Sequence, residues 1–299
     1  MKSLPRLEGL LLVGAGLFAL LFQLWVPSTH VEERDYQAVA QVLTAEAQPG
    51  DVVLLHPWWT ERARIYVPEG LPVVGHLFSD GDALERHPRI WVLSEPHLPR
   101  DGEGAFETAF NPGRTAVGAA RDFGNLRLQL FTNGRYRPLA FDAVDVLSSA
   151  QVYFETPDGQ RQPCKPAGNG FRCPNGKVVA RMLREVHYVP YTCVQMEAPG
   201  GATRLMMEFT APRAAESSTL QAGYIWEYGS CKETCSSSTV YLEVDGHGSS
   251  MELAAGDEAM HRLEGPPMAE GAKVRFGLLA QNPNARVVCF VLTGNGRAP

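Results

Sequence analysis

Apolar positions along this chain follow three different periods, and each period marks a different kind of element. From Gly9 to Val26 the eighteen-residue run GLLLVGAGLFALLFQLWV is apolar on every side, with Gln23 as its only strongly polar member. At 1.5 Å per residue such a helix spans about 27 Å, close to the hydrocarbon thickness of a bilayer. A single N-terminal transmembrane helix is the expected element. Between Asp35 and Leu93 the period alternates between helix and strand. Tyr36, Val39, Ala40 and Leu43 fall at i, i+3, i+4 and i+7, and Pro49-Gly50 should stop that helix. Val52 to Leu55 is a continuous apolar run, as expected of a strand covered on both faces. Thr60 is placed to cap a short helix carrying Ala63, Ile65 and Tyr66. Pro72-Val73-Val74 follows, then a helix around Asp80 to His87, then a strand from Ile90 to Leu93. Strands about twenty residues apart suit right-handed βαβ crossovers, so a small α/β Rossmann-like domain is expected. Thr115 to Thr132 reads as two further strands turning at Phe123-Gly124-Asn125.

After Ala150 the helical period gives way to strict alternation. Leu205, Met207 and Phe209 alternate with Arg204, Met206 and Glu208. Val240, Leu242 and Val244 alternate with Tyr241, Glu243 and Asp245, where Asp245-Gly246 offers a hairpin turn. Val274, Phe276 and Leu278 oppose Lys273 and Arg275, and Val287 to Leu292 reads as a doubly buried closing strand. This pattern predicts an all-β sandwich, a jelly roll in its expected form. The plan is therefore a membrane anchor over 1–34, an α/β Rossmann-like domain over 35–140 and a disulfide-stabilised β-sandwich over 150–299. The segment from Arg135 to Ser149 forms the junction.

Charge and cysteines place these parts in a cell. Lys2 and Arg6 precede the apolar run while His30, Glu32 and Glu33 follow it. By the positive-inside tendency the N-terminus is cytoplasmic, and the chain is a single-pass inner-membrane protein with its C-terminal domains periplasmic or otherwise extracytoplasmic. A cleaved signal peptide is the alternative. The run is longer than an h-region of roughly 7–15 residues, and Val26-Pro27-Ser28 is not an A-x-A site, which favours an uncleaved signal anchor. All six cysteines, Cys164, Cys173, Cys193, Cys231, Cys235 and Cys289, lie after position 163. An even number in an oxidising space reads as disulfides, and the preferred set is Cys164 with Cys173, Cys231 with Cys235, and Cys193 with Cys289. The last bridge would close a loop of about 95 residues, on the order of 4–5 kcal/mol in the chain-entropy model. Zinc is the competing use of these cysteines, but the spacings lack paired short knuckles, and His187 and His247 have no ligand-like spacing. Lys plus Arg number 27 against 33 Asp plus Glu, a formal charge of −6 with no basic stripe. That balance argues against nucleic acid as a partner.

Candidate chemistry is sparse. The chain holds no G-x-S-x-G elbow, H-E-x-x-H helix, P-loop or Rossmann glycine fingerprint. No catalytic residue, metal site or cofactor is assigned. In the α/β domain the ligand face should lie beyond the strand C-termini, near His56, Trp58, Trp59, Gly75, His76, Ser94 and Glu95. His-Pro-Trp-Trp-Thr after the first strand offers no glycine to a pyrophosphate, and His56 also reads as a structural histidine before Pro57. Only Arg121 and Arg127 are cationic from Thr115 to Thr132. In the sandwich, Gly223-Tyr224-Ile225-Trp226-Glu227-Tyr228 puts Tyr224, Trp226 and Tyr228 on one face. Their rings could stack on a sugar beside Glu227, or equally fill the core.

Taken in order, the apolar span, EERDYQAVAQVLTAEAQPGDVVLLHPWW, LPVVGH and PRIWVLSE resemble the last membrane helix and extracytoplasmic tail of protein O-mannosyltransferase-like enzymes, which use polyprenyl-phosphate sugars. The resemblance covers roughly Gly9 to Thr132. The segments RQPC, FRCP, YTCVQMEAP and VVCFVL resemble galactose-binding-like or carbohydrate-binding sandwiches. In the transferase family the catalytic acid lies between early membrane helices, which this sequence does not contain, so no catalytic role is carried over. The resemblance implies a non-catalytic periplasmic protein that binds carbohydrate or assists a glycosyltransferase. Its partners would be the membrane, a glycan or polyprenyl-linked sugar, and a multi-spanning glycosyltransferase. The competing expectations are a structural scaffold in an envelope protein complex and, last, a hydrolase or transferase with dispersed acids.

Overall fold

The computed structural model describes residues 4–75, 82–96, 104–225, 236–282 and 287–297. The chain divides into two compact units, residues 1–76 with 87–135 and residues 77–86 with 136–299.

The first unit begins with helix α1, Leu4–Thr29. Its side chains over 11–23 are all exposed, Leu12 at 74% and Phe18 at 71%. Among the described residues no helix is long and apolar enough to cross a membrane. Helix α2, Glu33–Glu46, starts where the Glu32 amide donates to the Asp35 carboxylate, and it buries Tyr36, Val39 and Leu43 as its period predicts. The strands are β1 (Val52–Leu55), β2 (Val73–Val74), β3 (Arg89–Ser94), β4 (Arg114–Phe123) and β5 (Leu126–Asn133). Between them lie the short helices α3 (Asp82–Glu85, grouped with the second unit) and α4 (Ala105–Phe110).

These five strands form one sheet in the order β2-β1-β3-β5-β4. Val53, Leu55, Trp91, Leu93, Leu126 and Leu128 pack under α2. Val52, Leu54, Ile90 and Val92 point the other way and are also buried, which is why β1 reads as an unbroken apolar run. Asp51 ties the start of the sheet together. It is 1% exposed and accepts from Arg89 Nε at 2.9 Å, Arg89 Nη2 at 2.7 Å, Trp91 Nε1 at 2.8 Å and the Gln48 amide at 3.0 Å. Gly50 before it has φ +92°, so Pro-Gly-Asp is a turn whose last residue is the anchor.

The Rossmann-like expectation is corrected here. Only β2, β1 and β3 run parallel, β2 is two residues long, and β5 and β4 are antiparallel. The connection after β1 is a 3-10 segment, Trp58–Ile65, preceded by Pro57, and not a helix capped by Thr60. Thr60 lies inside it and bonds back to the Pro57 carbonyl at 2.6 Å, while Ile65 is 76% exposed. Two β-branched residues in so short a stretch disfavour an α-helix. The helix expected around Asp80 to His87 is α3 alone, with residues 80 and 81 outside the described set.

The second unit contains β6 (Leu139–Asp142), helix α5 (Ala143–Val146), β7 (Gln151–Glu155), β8 (Arg161–Pro163), β9 (Lys165–Ala167) and β10 (Gly170–Arg172). It continues with β11 (Val178–Val186), β12 (Val189–Glu197), β13 (Arg204–Thr210), β14 (Ser217–Tyr224) and β15 (Ser238–Val244). The last strands are β16 (His247–Leu253), β17 (His261–Gly265), β18 (Lys273–Ala280) and β19 (Val287–Asn295). One sheet runs β17-β14-β19-β12-β11-β10-β9 with β6 also on β19, and the other runs β16-β15-β18-β13-β7-β8. Successive strands from β12 to β15 cross from one sheet to the other. The predicted inward residues, Leu205, Met207, Phe209, Val240, Leu242, Val244, Val274, Phe276 and Leu278, share one core between the sheets. Asp245 and Gly246, at φ +49° and +84°, make the hairpin between β15 and β16.

β19 is buried on both faces. Val288, Phe290 and Leu292 enter the sandwich core, while Val287, Cys289 and Val291 join Val186, Cys193 and Ile225 in a smaller cluster behind the sheet. β12 and β19 are neighbours, so the strand ends that carry Cys193 and Cys289 meet, and the bridge forms with Cα atoms 5.5 Å apart. Cys164 and Cys173 are also joined, at 4.1 Å. Cys231 and Cys235 lie outside the described residues.

Candidate functional site

In the first unit β1 and β3 lie side by side and parallel. The chain leaves β1 toward β2 on one side and leaves β3 toward β4 on the other. This divergence marks the C-terminal ends of β1 and β3 as the place where an open α/β sheet can take a ligand. His56 and Ser94-Glu95 stand at these ends, buried and joined where the His56 amide donates to the Leu93 carbonyl at 3.0 Å.

Strand alternation sends these side chains to different faces. His56 points to the α4 side and stacks on Phe106, ring centroids 3.8 Å apart and 12° between planes. Glu95 follows Trp91 and Leu93 to the α2 side, where its charge acts on the Tyr36 hydroxyl. Glu95 is 6% exposed and forms no hydrogen bond or ion pair among the described residues. Burial pushes its carboxyl up to about 7. Tyr36 is also buried; burial first and Glu95 second push its hydroxyl up to about 12. Its ring stacks on Tyr66 at 4.8 Å, and the Arg62 guanidinium lies over it at 5.8 Å.

Among the described residues no other sequence candidate is seen to join them. Trp58 and Trp59 open the 3-10 segment and are described in their backbone only. Gly75 follows β2, where an added Cβ would run into the Glu61 carboxylate, and His76 lies outside the described residues. In the sandwich, Tyr224 is turned into the core, and its hydroxyl donates to the Leu253 carbonyl at 3.1 Å. Its ring fills the interior and is not presented to a ligand. Trp226, Glu227 and Tyr228 lie outside the described residues.

A second polar surface has no counterpart in the sequence reading. On the sheet containing β13, the residues opposite the core form cross-strand rows. One runs Tyr241, Gly277, Met206, Tyr153, and the next runs Glu243, Arg275, Glu208. Glu208 accepts from the Tyr153 hydroxyl at 2.9 Å and pairs with Lys273 at 2.8 Å and Arg161 at 3.2 Å. Arg275 reaches Glu155 at 2.6 Å and Glu243 at 2.8 Å. Burial would raise the Glu208 carboxyl, but hydrogen bonds from Lys273 and Tyr153 outweigh it and hold the group below its ordinary value. Tyr153 is pushed up to about 12 by burial and by its bond to Glu208. Arg204 lies over the half-buried Tyr241 ring at 4.3 Å. Gly277 is buried between Tyr241 and Met206, where a Cβ would strike the Leu205 carbonyl. Strand alternation in the sequence marks these residues as facing away from the core, but not as neighbours of one another.

No known protein family matches this chain, and no curated protein matches it in sequence. Nothing in these comparisons supports the resemblance to an O-mannosyltransferase-like tail. Among solved structures the chain is similar to the xylan-binding module CBM15, at 9% identity over 50% of this chain and 93% of that one, with a TM-score of 0.27. It is also similar to CBM51 from a Clostridium perfringens GH95 protein in complex with methyl-galactose, at 11% identity, 44% and 93% coverage and a TM-score of 0.27. A third is Xylanase10C from Cellvibrio japonicus in complex with xylopentaose, at 8% identity over 50% of this chain and a TM-score of 0.29, where the match spans 27% of that chain. Two of the three are carbohydrate-binding modules. Likeness at these scores decides neither fold nor ligand, and the sandwich rests on its own strand pairing.

Proposed function

We propose that this chain is a membrane-anchored, non-catalytic envelope protein whose sandwich binds carbohydrate on the face that carries Tyr241 and Arg275. The observation that supports this reading is the half-buried Tyr241 ring, which adjoins the Glu243–Arg275–Glu155 network on the same face. A flat ring with planar carboxylate and guanidinium groups around it can stack on a sugar and bond its hydroxyls. The apolar run from Gly9 to Val26 in the sequence supports the anchor, and by the positive-inside tendency the charges flanking it would put both units on the outer side. In that position a multi-spanning glycosyltransferase handling polyprenyl-linked sugar is the fitting companion.

The test uses the full chain in detergent micelles on a glycan array, followed by calorimetry on the retained glycan. Tyr241→Ala should weaken binding by at least about tenfold, the loss of one stacking ring. Absence of any retained glycan, or unchanged affinity in a folded Tyr241→Ala protein, would overturn the carbohydrate reading. A scaffold role in an envelope complex is favoured by one observation, the hairpin of β11 and β12, which exposes Leu183 at 70% and Tyr188 at 61%.

A further inference from the structure

We propose that the C-terminal ends of β1 and β3 form a second binding site, one that takes a primary ammonium group with the Glu95 carboxylate as its counter-ion. This site is separate from the sandwich face and does not depend on it.

Among the described residues four acids are buried: Asp35, Asp51, Glu95 and Glu208. Asp35 accepts from the Glu32 amide, Asp51 from Arg89 and Trp91, and Glu208 from Tyr153 and Arg161. Glu95 alone among the four has no such partner. A carboxylate taken out of water without a donor or counter-charge is unfavourable, and a ligand that brings both removes the deficit. Its place is the second observation, because the switch point between diverging strands is where open α/β sheets receive ligands.

The chemistry of the surroundings selects the class. The described residues include no cluster of His, Cys, Asp and Glu able to hold a metal ion, and a hard divalent cation needs more oxygen ligands than Glu95 supplies. An ammonium group needs less: one carboxylate and a neutral acceptor. The Tyr36 hydroxyl, held protonated across the physiological range, can serve as that acceptor. The titratable and charged groups around the Tyr36 hydroxyl are Glu95 itself, Asp35 of α2, and Arg62 and Tyr66 of the segment after β1, while His56 faces the other way onto Phe106. Arg62 lies over the Tyr36 ring and forms no ion pair with Glu95.

Binding then exchanges a proton for a cation. Where Glu95 is protonated, the ammonium must displace that proton to solvent, and where it is ionised no proton moves. With the carboxyl near 7, affinity should be about tenfold weaker at pH 6 than at pH 8.

The experiment is calorimetry on the full chain in detergent with ethanolamine, whose ammonium stays charged over this range, against neutral N-acetylethanolamine. Glucosamine and N-acetylglucosamine at pH 7 form a second pair on a sugar carrier. The expected result is binding of at least one amine, at least about tenfold weaker binding of its neutral amide, and heats at pH 6 that vary with buffer as a proton is released. Ethanolamine alone would support a lipid-type headgroup as the source, and glucosamine alone an amino sugar. Glu95→Gln should abolish binding and its pH dependence while leaving retention on the glycan array unchanged, which separates this site from the sandwich. Failure of both amines to bind, equal affinity at pH 6 and 8, or equal binding of the neutral amides would overturn the proposal. The wild-type pH series decides the question even if the variant does not fold.

Discussion

The sandwich pairs its buried carboxylate, whereas the α/β unit pairs two and leaves a third without a partner. In the sandwich, Glu208 is surrounded by Tyr153, Arg161, Lys273 and Arg275, so its charge is shared across four strands. In the α/β unit, Asp51 is equally well paired at the start of the parallel strands, while Glu95 at their far end is not. One end of the same sheet is therefore closed by ion pairing and the other is left with an open valence. Paired acids hold strands in register, and an unpaired one is kept at the expense of stability, which is where function is to be sought.

The comparison can be broken first at Asp51. Asp51→Ala strands the Arg89 guanidinium and the Trp91 indole N–H, and should destabilise the α/β unit by about 3–5 kcal/mol. Chemical denaturation followed by tryptophan fluorescence measures this, since Trp58, Trp59 and Trp91 lie in that unit. A loss below 1 kcal/mol would show that Asp51 is not the anchor described.

Glu95→Gln should act in the reverse direction. The folded carboxyl is raised from 4.5 to about 7, so the native state holds its proton where the unfolded chain has lost it. Wild-type stability then falls as pH rises from about 4.5 through 7 and levels off above. The variant should be more stable than wild type by up to about 3 kcal/mol at pH 8 and equal to it at pH 4. The same fluorescence measurement at the two pH values checks it, and a variant less stable at pH 8 would contradict the unpaired state.

Glu208→Gln gives the smallest effect, a loss of about 1–2 kcal/mol at pH 7, because Arg161 and Lys273 remain partly solvated. The sign with pH is opposite to that of Glu95. A lowered carboxyl stabilises the folded state above its unfolded value, and that contribution is lost as pH falls through the folded value. Circular dichroism of acid unfolding should show a weaker acid dependence in the variant than in wild type.

Much of this architecture could be read from residue order alone, and the reasons are physical. Alternation in Leu205, Met207 and Phe209 reports a face because strand side chains repeat every two residues, and the cysteines on β12 and β19 pair because those strands are neighbours. The helix expected after Thr60 did not form, since short stretches between turns carry too few turns for a period to decide their type. Tyr224 shows the limit of the same logic: alternation puts it on one face, but only the packing identifies that face as the core. The Tyr153, Glu208 and Arg275 network joins positions 55 and 122 residues apart, a separation that no local spacing rule reaches. Glu95 was legible as a position at the end of a strand, but its lack of a partner is a property of everything folded around it.

Strand β4 forms one rim of the α/β sheet, bonded to β5 alone. Its Arg114 to Val117 stretch pairs in step with Asn133 to Leu130, slips around Gly118 at φ +67°, and resumes at Arg121. A foreign strand laid along that rim would lose its ladder after the first few rungs. The offset thus protects a solvent-exposed border from templating fibrils, a safeguard carried by backbone geometry without calling on charge.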